Sequence, residues 1–255
     1  MNPWAKKTVT LAKTEDYLDR LYAVYPNDSE TRIVDADVLA SIEKSFNRRE
    51  GASLLEQLLN LDKFPMKDSY VSFLRIDRSA MKRNPKTVKR ICDTLYNMGF
   101  DKVKEGIIEP KEANTRRGQQ FRNWAMVNFK HVELDKFINS TRGVIFLEGS
   151  EKEVLDFCNV KLKLGLTKRP DFVAKSKEKY VVGEAKFLSS TGGNQGRGFK
   201  DAVDLASKAS GTAYKVAVID GVLWIQNGSQ EFNSIKTSTV CALSALLLND
   251  YCKSL

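Results

Sequence analysis

The stretch "RPDFVAKSKEKYVVGEAKFL", residues 169–188, contains two short apolar segments that each carry an acidic residue. Asp171 opens the first segment, and Glu184 lies near the end of the second, two residues before Lys186. The polar residues 175–179 between the segments indicate a turn, so the stretch predicts two neighbouring β-strands. Adjacent strands that present their acids at the same level of a sheet bring two carboxylates together.

Two carboxylates and an amine in this arrangement are typical of a magnesium site. Mg²⁺ takes oxygen ligands, usually one or two protein carboxylates, with water and phosphate completing its shell. Side chains alternate along a strand, so Glu184 and Lys186 point to one face and Ala185 to the other. We therefore predict Asp171 and Glu184 as ligands and the carbonyl of Ala185 as a third. Lys186 would hold an attacking water; alternatively, Glu184 and Lys186 form an exposed ion pair at a strand edge.

The composition describes a globular chain with a basic balance. Of its 255 residues, 42% are apolar and 29% are charged. There are 41 Lys and Arg residues against 32 Asp and Glu, a formal net charge of +9. This excess favours an anionic partner, of which nucleic acid is the commonest. The four cysteines form no CxxC pair and His131 is the only histidine, so we discount a structural zinc site and a histidine-based hydrolase.

Targeting signals are absent from the sequence pattern. The first residues lack the apolar stretch of a signal peptide. The longest apolar run, residues 240–252, is too short and too interrupted to span a bilayer, and it is typical of a core helix. We therefore expect a cytoplasmic protein without membrane contact.

The periodicity of apolar residues changes from helical to strand-like near residue 140. Before that point the spacing predicts helices, among them one at 85–98 with Pro85 in its first turn, Gly99 at its end and a basic outer face. Residues 101–115 break this periodicity. The later part predicts a strand at 143–147, a capping box at Ser150 and Glu153, a hairpin of strands 213–220 and 222–226 around Asp220-Gly221, and a final helix at 237–252.

The motif Pro170-Asp171 followed by Glu184-Ala185-Lys186 resembles that of the PD-(D/E)xK nuclease superfamily. The flanking sequence narrows the resemblance to a group of type II restriction endonucleases, in which the catalytic strand runs into a Gly-Gly-x-Gln loop and then a helix. The segments that are similar are "YVVGEAKFLSSTGGNQGRGFKDA" (180–202), "RNPKTVKRI" (83–91) and "NTRRGQQFRNW" (114–124).

This resemblance implies an α/β fold (α+β-like) with a restriction-endonuclease-like core. A central mixed sheet flanked by helices would be preceded by a helical N-terminal region. We expect residues 1–110 to serve DNA recognition, dimerisation or both, and residues 111–255 to form the catalytic core. By the same resemblance, Asp171 and Glu184 are metal ligands and Lys186 is the amine that positions water.

One acidic residue of the resembled group has no obvious counterpart here. Many members carry an upstream helical glutamate near the metal, where this chain has Gln119 and Gln120. Glu148 and Glu153 are the alternatives, and the sequence does not choose between them. The number of metal ions therefore stays open.

Two groups of polar residues are candidates for DNA contact. Glycines in the loop after the catalytic strand permit close backbone approach, and Asn and Gln can bind a base edge through two hydrogen bonds. Basic residues at the start of a helix suit phosphates. For each group the alternative is an ordinary solvated loop or surface. The first group is Asn194, Gln195, Arg197 and Lys200, and the second is Arg116, Arg117 and Gln120.

Together these features predict a type II site-specific deoxyribonuclease. It would use Mg²⁺ to hydrolyse double-stranded DNA, leaving 5′-phosphate and 3′-hydroxyl ends. A homodimer is the simplest way to cut both strands of a symmetric site, and a cognate DNA methyltransferase is expected in the same system. The alternatives are a repair or structure-selective nuclease on the same core, and an inactive DNA-binding regulator.

Overall fold

A mixed β-sheet is the scaffold around residues 169–188 in this computed structural model. The structure describes residues 1–26, 31–110, 113–191, 193–226 and 228–255, without the side chains of 113–115 and 193–195. Within these residues, six strands lie side by side in chain order, and all neighbours are parallel except the third strand, which is antiparallel to both of its neighbours. The strands are β1 (Lys130–Val132), β2 (Val144–Leu147), β3 (Phe172–Ser176), β4 (Lys179–Leu188), β5 (Tyr214–Gly221) and β6 (Ala242–Leu243).

Helices form most of the remaining described structure, and several of them flank the sheet, which confirms the predicted mixed sheet with flanking helices. They are α1 (Pro3–Leu11), α2 (Tyr17–Val24), α3 (Ala36–Asn47), α4 (Gly51–Asn60), α5 (Val71–Ile76), α6 (Ala80–Arg83), α7 (Pro85–Met98), α8 (Phe100–Ile108), α9 (Ala113–Asn128), α10 (Leu134–Asn139), α11 (Glu151–Asp156), α12 (Gly193–Ser207), α13 (Gln230–Thr237) and α14 (Leu248–Ser254).

The β3–β4 hairpin is buried on both faces, which explains its nearly continuous apolar sequence. On one face, Phe172 and Ala185 belong to a core that also contains Phe121 of α9. On the other face, Val173 and Val182 pack in a separate apolar cluster. Side chains alternate between these two cores, so the register of the hairpin decides which residues meet on each face.

The chain divides into two compact units, residues 1–27 with 113–255 and residues 28–112. The expected division at residue 110 lies close to the second boundary, but the first 27 residues belong to the unit that holds the sheet. Buried polar contacts account for this. The Tyr25 hydroxyl donates to Oδ2 of the buried Asp220 at 3.0 Å, and the Ser244 amide donates to Oγ1 of Thr8 at 3.1 Å.

Residues 28–112 form a helical unit with a core of its own. Leu54, Leu55, Leu58 and Leu59 give α4 an apolar face, which packs against Ile91 and neighbouring residues. The helix predicted at 85–98 is confirmed as α7, with Pro85 in its first turn and Gly99 after its last residue.

The expected break at 101–115 is wrong for residues 100–108, which form α8. Gly106 made that segment resemble a loop, because glycine is disfavoured inside helices. In the structure Gly106 serves packing instead. A Cβ at this position would lie 2.2 Å from the carbonyl oxygen of Pro65, so only glycine fits without a shift of the backbone.

Two predictions for the last third of the chain are wrong. No hairpin forms at Asp220-Gly221, because residues 222–224 turn into a short 3₁₀ helix. There the buried Trp224 donates its indole N–H to the Ile219 carbonyl at 2.7 Å. The final helix expected at 237–252 is divided into the end of α13, strand β6, a 3₁₀ turn at 245–247 and α14. Strand β6 forms because residues 242–243 pair in parallel with β5, a long-range contact that local periodicity does not indicate.

Asp220 gives the folded state a predictable response to pH. Burial raises its pKa from the ordinary value of 3.8 to about 6, although hydrogen bonds from Ser244, Ala245 and Tyr25 oppose the shift. The folded state therefore binds a proton more tightly than the unfolded state does. We expect this group to make the free energy of unfolding fall as pH rises from about 4 to about 6, by ~1–3 kcal/mol, and to add no further change above that range.

Asp220→Asn removes this titration, so the stability difference between variant and wild type should change with pH over the same range. Urea unfolding at closely spaced pH values measures the difference. Asp250→Asn, at an exposed position on α14, is the matched control. Parallel pH profiles for wild type and Asp220→Asn would contradict the assignment.

Candidate active site

The β3–β4 hairpin brings Asp171, Glu184 and Lys186 together. Phe172 pairs with Gly183 in the antiparallel register, which sets Asp171 beside Glu184. The Lys186 ammonium lies 2.8 Å from Glu184 Oε1 and 3.6 Å from Asp171 Oδ2. The two carboxylate oxygens are therefore at most about 6.4 Å apart, the sum of those distances. One cation contacts both acids.

The backbone of β4 fixes the position of Asp171. The Ala185 amide donates a hydrogen bond to Asp171 Oδ2 at 2.9 Å, while the Ala185 methyl group is buried in the core on the opposite face. Gly183 leaves the space that the Phe172 ring occupies, since a Cβ there would lie 2.4 Å from two ring carbons. The absent side chain at 183 thus lets the two strands approach in the register that the acids require.

Two further cations reach these acids from outside the motif. Arg122 of α9 lies 3.3 Å from Asp171 Oδ1 through Nη1. Lys168 lies 2.9 Å from Glu184 Oε1 and 3.4 Å from Asp201 Oδ2 of α12. Sequence reasoning missed all three residues. Lys168 stands only three positions before Asp171, which was a usable signal, but no spacing in the sequence indicates that α9 or α12 approaches the hairpin.

The electrostatics of the site follow from its burial. Burial raises the pKa of Asp171, and the neighbouring charge of Glu184 raises it further, against the opposing effects of Lys186, the Ala185 amide and Arg122. Burial by itself lowers the pKa of Lys168, but Glu184 and then Asp201 more than offset this and leave that pKa raised. Burial therefore disfavours the charged form of Asp171, whereas the acidic neighbours of Lys168 favour its charged form.

The donor set fits a hard divalent cation. Carboxylate oxygens are the ligands that Mg²⁺ prefers, and two of them suffice when water and a substrate phosphate complete the shell. Within the described residues, no group of three Asp, Glu, His or Cys side chains gathers at one point. The site therefore offers two carboxylates, not the three that a metal held by protein side chains alone would favour.

Glu148 and Glu153, the two alternatives for an additional acid near the metal, have different surroundings in the structure. The Glu153 carboxylate accepts a hydrogen bond from the Ser150 amide at 2.8 Å and completes the predicted capping box of α11. Glu148 lines a cavity of about 100 Å³ together with Asp171 and Arg122. Gln119, at the position where the resembled group carries glutamate, accepts a hydrogen bond from Arg122 at 3.1 Å. Of the alternatives, Glu148 is the one that shares a cavity with Asp171.

The predicted DNA-contact residues of α12 lie beside the hairpin. Arg197 and Lys200 are exposed. Gly198 between them faces the Lys186 side chain, since a Cβ on Gly198 would lie 3.5 Å from Lys186 Cδ. The side chains of Asn194 and Gln195 fall outside the described part of the chain.

The second predicted group is engaged within the protein. Arg117 donates to the Tyr25 carbonyl at 2.9 Å, and its guanidinium lies over the Phe187 ring at 4.5 Å. Gln120 donates to the Pro26 carbonyl at 2.5 Å. These contacts fasten α9 to the chain that follows α2. Arg116, the third member of this group, is half-buried next to Arg117 in the same helix.

Comparison with protein-family models identifies the family of the chain. The model of the Tsp45I type II restriction enzyme family matches residues 2–255. The chain belongs to this family. It is therefore a type II restriction endonuclease, a hydrolase that acts on DNA phosphodiester bonds at a specific site, as the resemblance implied. Enzymes of this type generally use divalent metal ions.

Two further comparisons, with curated proteins and with solved structures, found no similar protein. Through the described ranges of the chain, no helix has the length and apolar character needed to cross a membrane.

Gly183→Ala tests the close contact on which the register of the site depends. The added methyl group would meet the Phe172 ring and, at 2.8 Å, the Val216 carbonyl oxygen. We expect it to lower the free energy of unfolding by ~1–3 kcal/mol, as overpacking does, and to reduce DNA cleavage under conditions where the variant remains folded.

Gly118→Ala is the matched control for this substitution. Gly118 lies within α9, and its added methyl group would meet no atom within 4 Å. Alanine is the better helix former, so this variant should be up to ~1 kcal/mol more stable than wild type. Urea unfolding compares the two variants, and equal stability of Gly183→Ala and wild type would contradict the packing argument.

Proposed function

We propose that this enzyme cleaves double-stranded DNA at a short sequence by Mg²⁺-dependent hydrolysis, with Asp171 and Glu184 as metal ligands and Lys186 as the residue that holds the attacking water. The observation that carries the proposal is the convergence of both carboxylates on one ammonium group. Two buried acids this close would repel each other without a cation beside them. Their position beside Lys186 is therefore what a site for a divalent cation needs.

In this proposal the protein supplies two carboxylates and one backbone carbonyl as metal ligands. When bound, the metal would polarise a phosphoryl oxygen and acidify a water. Asp171 and Glu184 would hold it with their carboxylates, and the Ala185 carbonyl is the proposed third ligand. The hydrogen bond from the Ala185 amide keeps Asp171 aligned for this task.

Lys186 is proposed to act on water and phosphate. Its side chain is 25% exposed and its ammonium group contacts both acids, so solvent can reach the lysine beside the proposed metal ligands. It would orient a water for attack on phosphorus in line with the leaving oxygen. The bond between phosphorus and the 3′ oxygen breaks, that oxygen takes up a proton, and the products carry 5′-phosphate and 3′-hydroxyl ends.

DNA contact is proposed mainly for the unit that holds the sheet. This unit contains 25 Lys and Arg residues against 17 Asp and Glu, whereas residues 28–112 contain 16 against 15. The basic excess therefore lies with the catalytic strand, where it would attract the DNA backbone. Arg197 and Lys200 are proposed to contact phosphates or a guanine, and Asn194 and Gln195 to contact base edges. For Arg117 and Gln120, the hydrogen bonds that hold α9 against the segment after α2 are a better explanation than DNA contact. Arg116 lies next to Arg117 on the same helix.

Lys186→Ala separates chemistry from binding. Lys186 is proposed to act on the attacking water, an interaction that matters most in the transition state. We expect single-turnover cleavage with Mg²⁺ to fall by at least ~10²-fold, while the affinity for specific DNA stays within a few-fold of wild type. Rapid-quench cleavage and fluorescence anisotropy give the two quantities.

Lys177→Ala is the control for this variant, because Lys177 lies in the turn between β3 and β4, at the opposite end of the hairpin from Asp171. It should cleave like wild type. Near wild-type cleavage by Lys186→Ala would remove this lysine from the mechanism, and with it the main reason for placing the active site here.

A homodimer is proposed as the active form, with a cognate methyltransferase in the same system. Two copies of one active site related by a two-fold axis cut both strands of a symmetric sequence most simply. Residues 28–112, with their nearly balanced charge, are better suited to dimerisation than to contact with DNA phosphates.

Sedimentation of the enzyme with bound specific DNA tests the homodimer. The expected complex contains two protein chains per duplex. A complex of one chain and one duplex that still cuts both strands would show the dimer proposal to be wrong.

A further inference from the structure

Lys168 is one of two cations, with Arg122, that contact the acids and have no role in the proposed hydrolytic mechanism. It lies in the segment before Pro170, and its ammonium contacts Glu184 Oε1 at 2.9 Å. The same oxygen accepts a hydrogen bond from Lys186 at 2.8 Å. One oxygen of the proposed metal ligand therefore contacts two ammonium groups, and a divalent cation that used this oxygen would meet both charges.

The two lysines differ in how they reach Glu184. The Lys168 side chain is 57% exposed, whereas the Lys186 side chain is 25% exposed and also contacts Asp171. Lys168 thus approaches the buried carboxylate from the solvent side. Because more than half of its side chain is exposed, Lys168 can leave Glu184 without removing a group from the apolar core.

Asp201 gives Lys168 a second partner beside the site. Its carboxylate lies 3.4 Å from the Lys168 ammonium and is itself half exposed. Lys168, Glu184 and Asp201 line one cavity of about 160 Å³. A lysine released from Glu184 would stay attached to Asp201 and remain within reach of a DNA phosphate at the active site.

We propose that Lys168 is an internal counter-ion that occupies Glu184 in the metal-free protein, is displaced when a divalent cation binds, and then contacts a phosphate near the scissile bond. The proposal rests on the proposed function, because it requires Glu184 to be a metal ligand. Lys168 is a positioning residue in this scheme. A stabilising ion pair between Lys168 and the buried Glu184 is the competing explanation, and measurements of metal and DNA binding separate the two.

The first test measures metal binding without DNA. Lys168→Gln removes a positive charge next to Glu184, so Mn²⁺ should bind tighter than to wild type by about tenfold. Asp201→Asn should weaken Mn²⁺ binding, because it removes a nearby negative charge and leaves Lys168 with Glu184 alone. Isothermal titration with Mn²⁺ gives the affinities, and Lys177→Gln is the matched lysine control, with wild-type affinity expected.

The second test measures DNA affinity with and without metal. It uses the Lys186→Ala background so that DNA remains uncut. With Mg²⁺, adding Lys168→Gln should weaken DNA binding and reduce the slope of log affinity against log salt by about one. Without metal, the same substitution should change the affinity little, because Lys168 is then held by Glu184.

The outcomes separate this inference from the proposed function. If Glu184→Gln abolishes Mn²⁺ binding but Lys168→Gln does not tighten it, Lys168 is only a surface ion pair and the inference fails alone. An equal loss of DNA affinity with and without Mg²⁺ would also overturn it, since the lysine would then act on DNA independently of the metal. If Glu184→Gln leaves Mn²⁺ binding unchanged, the proposed function fails as well.

Discussion

Two carboxylates buried close together need cations beside them, and the rest of this structure depends on how that need is met. The side chains of Asp171 and Glu184 are only 11% and 5% exposed. Water therefore screens their repulsion poorly, and removing a buried counter-ion would leave an uncompensated charge. Lys186 contacts both acids, and Arg122 and Lys168 each contact one of them. A divalent cation would meet the same electrostatic need with a higher charge.

The fold brings these cations to the acids through a series of specific contacts. Lys186 arrives through the hairpin itself, because residues two apart on a strand share a face. Arg122 arrives through α9, which Arg117 fastens to the chain after α2. That chain is fixed in turn by the hydrogen bond from Tyr25 to the buried Asp220. A polar cluster far from the hairpin in sequence thus supports one of the groups that contact Asp171.

The sequence predicted those parts of the fold whose causes are local. The β3–β4 hairpin, α7 with its flanking Pro85 and Gly99, and the capping box of α11 were all predicted, since each depends on residues a few positions apart. Strand β6 was missed because its partner residues in β5, Ala217 and Val218, lie 25 positions earlier in the chain. The segment after Asp220 was missed because Asp-Gly normally favours a hairpin turn. Here a buried tryptophan requires a hydrogen bond to the strand that precedes it.

The distribution of charge on the surface also depends on contacts that the local sequence does not show. The basic face predicted for α7 is largely neutralised in the structure, since Lys89 pairs with Asp93 and Arg90 with Asp68. Asp93 lies four residues after Lys89 on the same helix, a spacing that the sequence shows, whereas Asp68 belongs to a different segment that the periodicity of α7 does not indicate. Salt bridges of this kind lower the number of counter-ions that DNA would release on binding, so a basic stripe need not be a DNA surface. The net excess lies instead with the unit that carries Asp171 and Glu184, the residues proposed to hold the metal, where a positive surface would offset the repulsion between two acids and the phosphates of DNA.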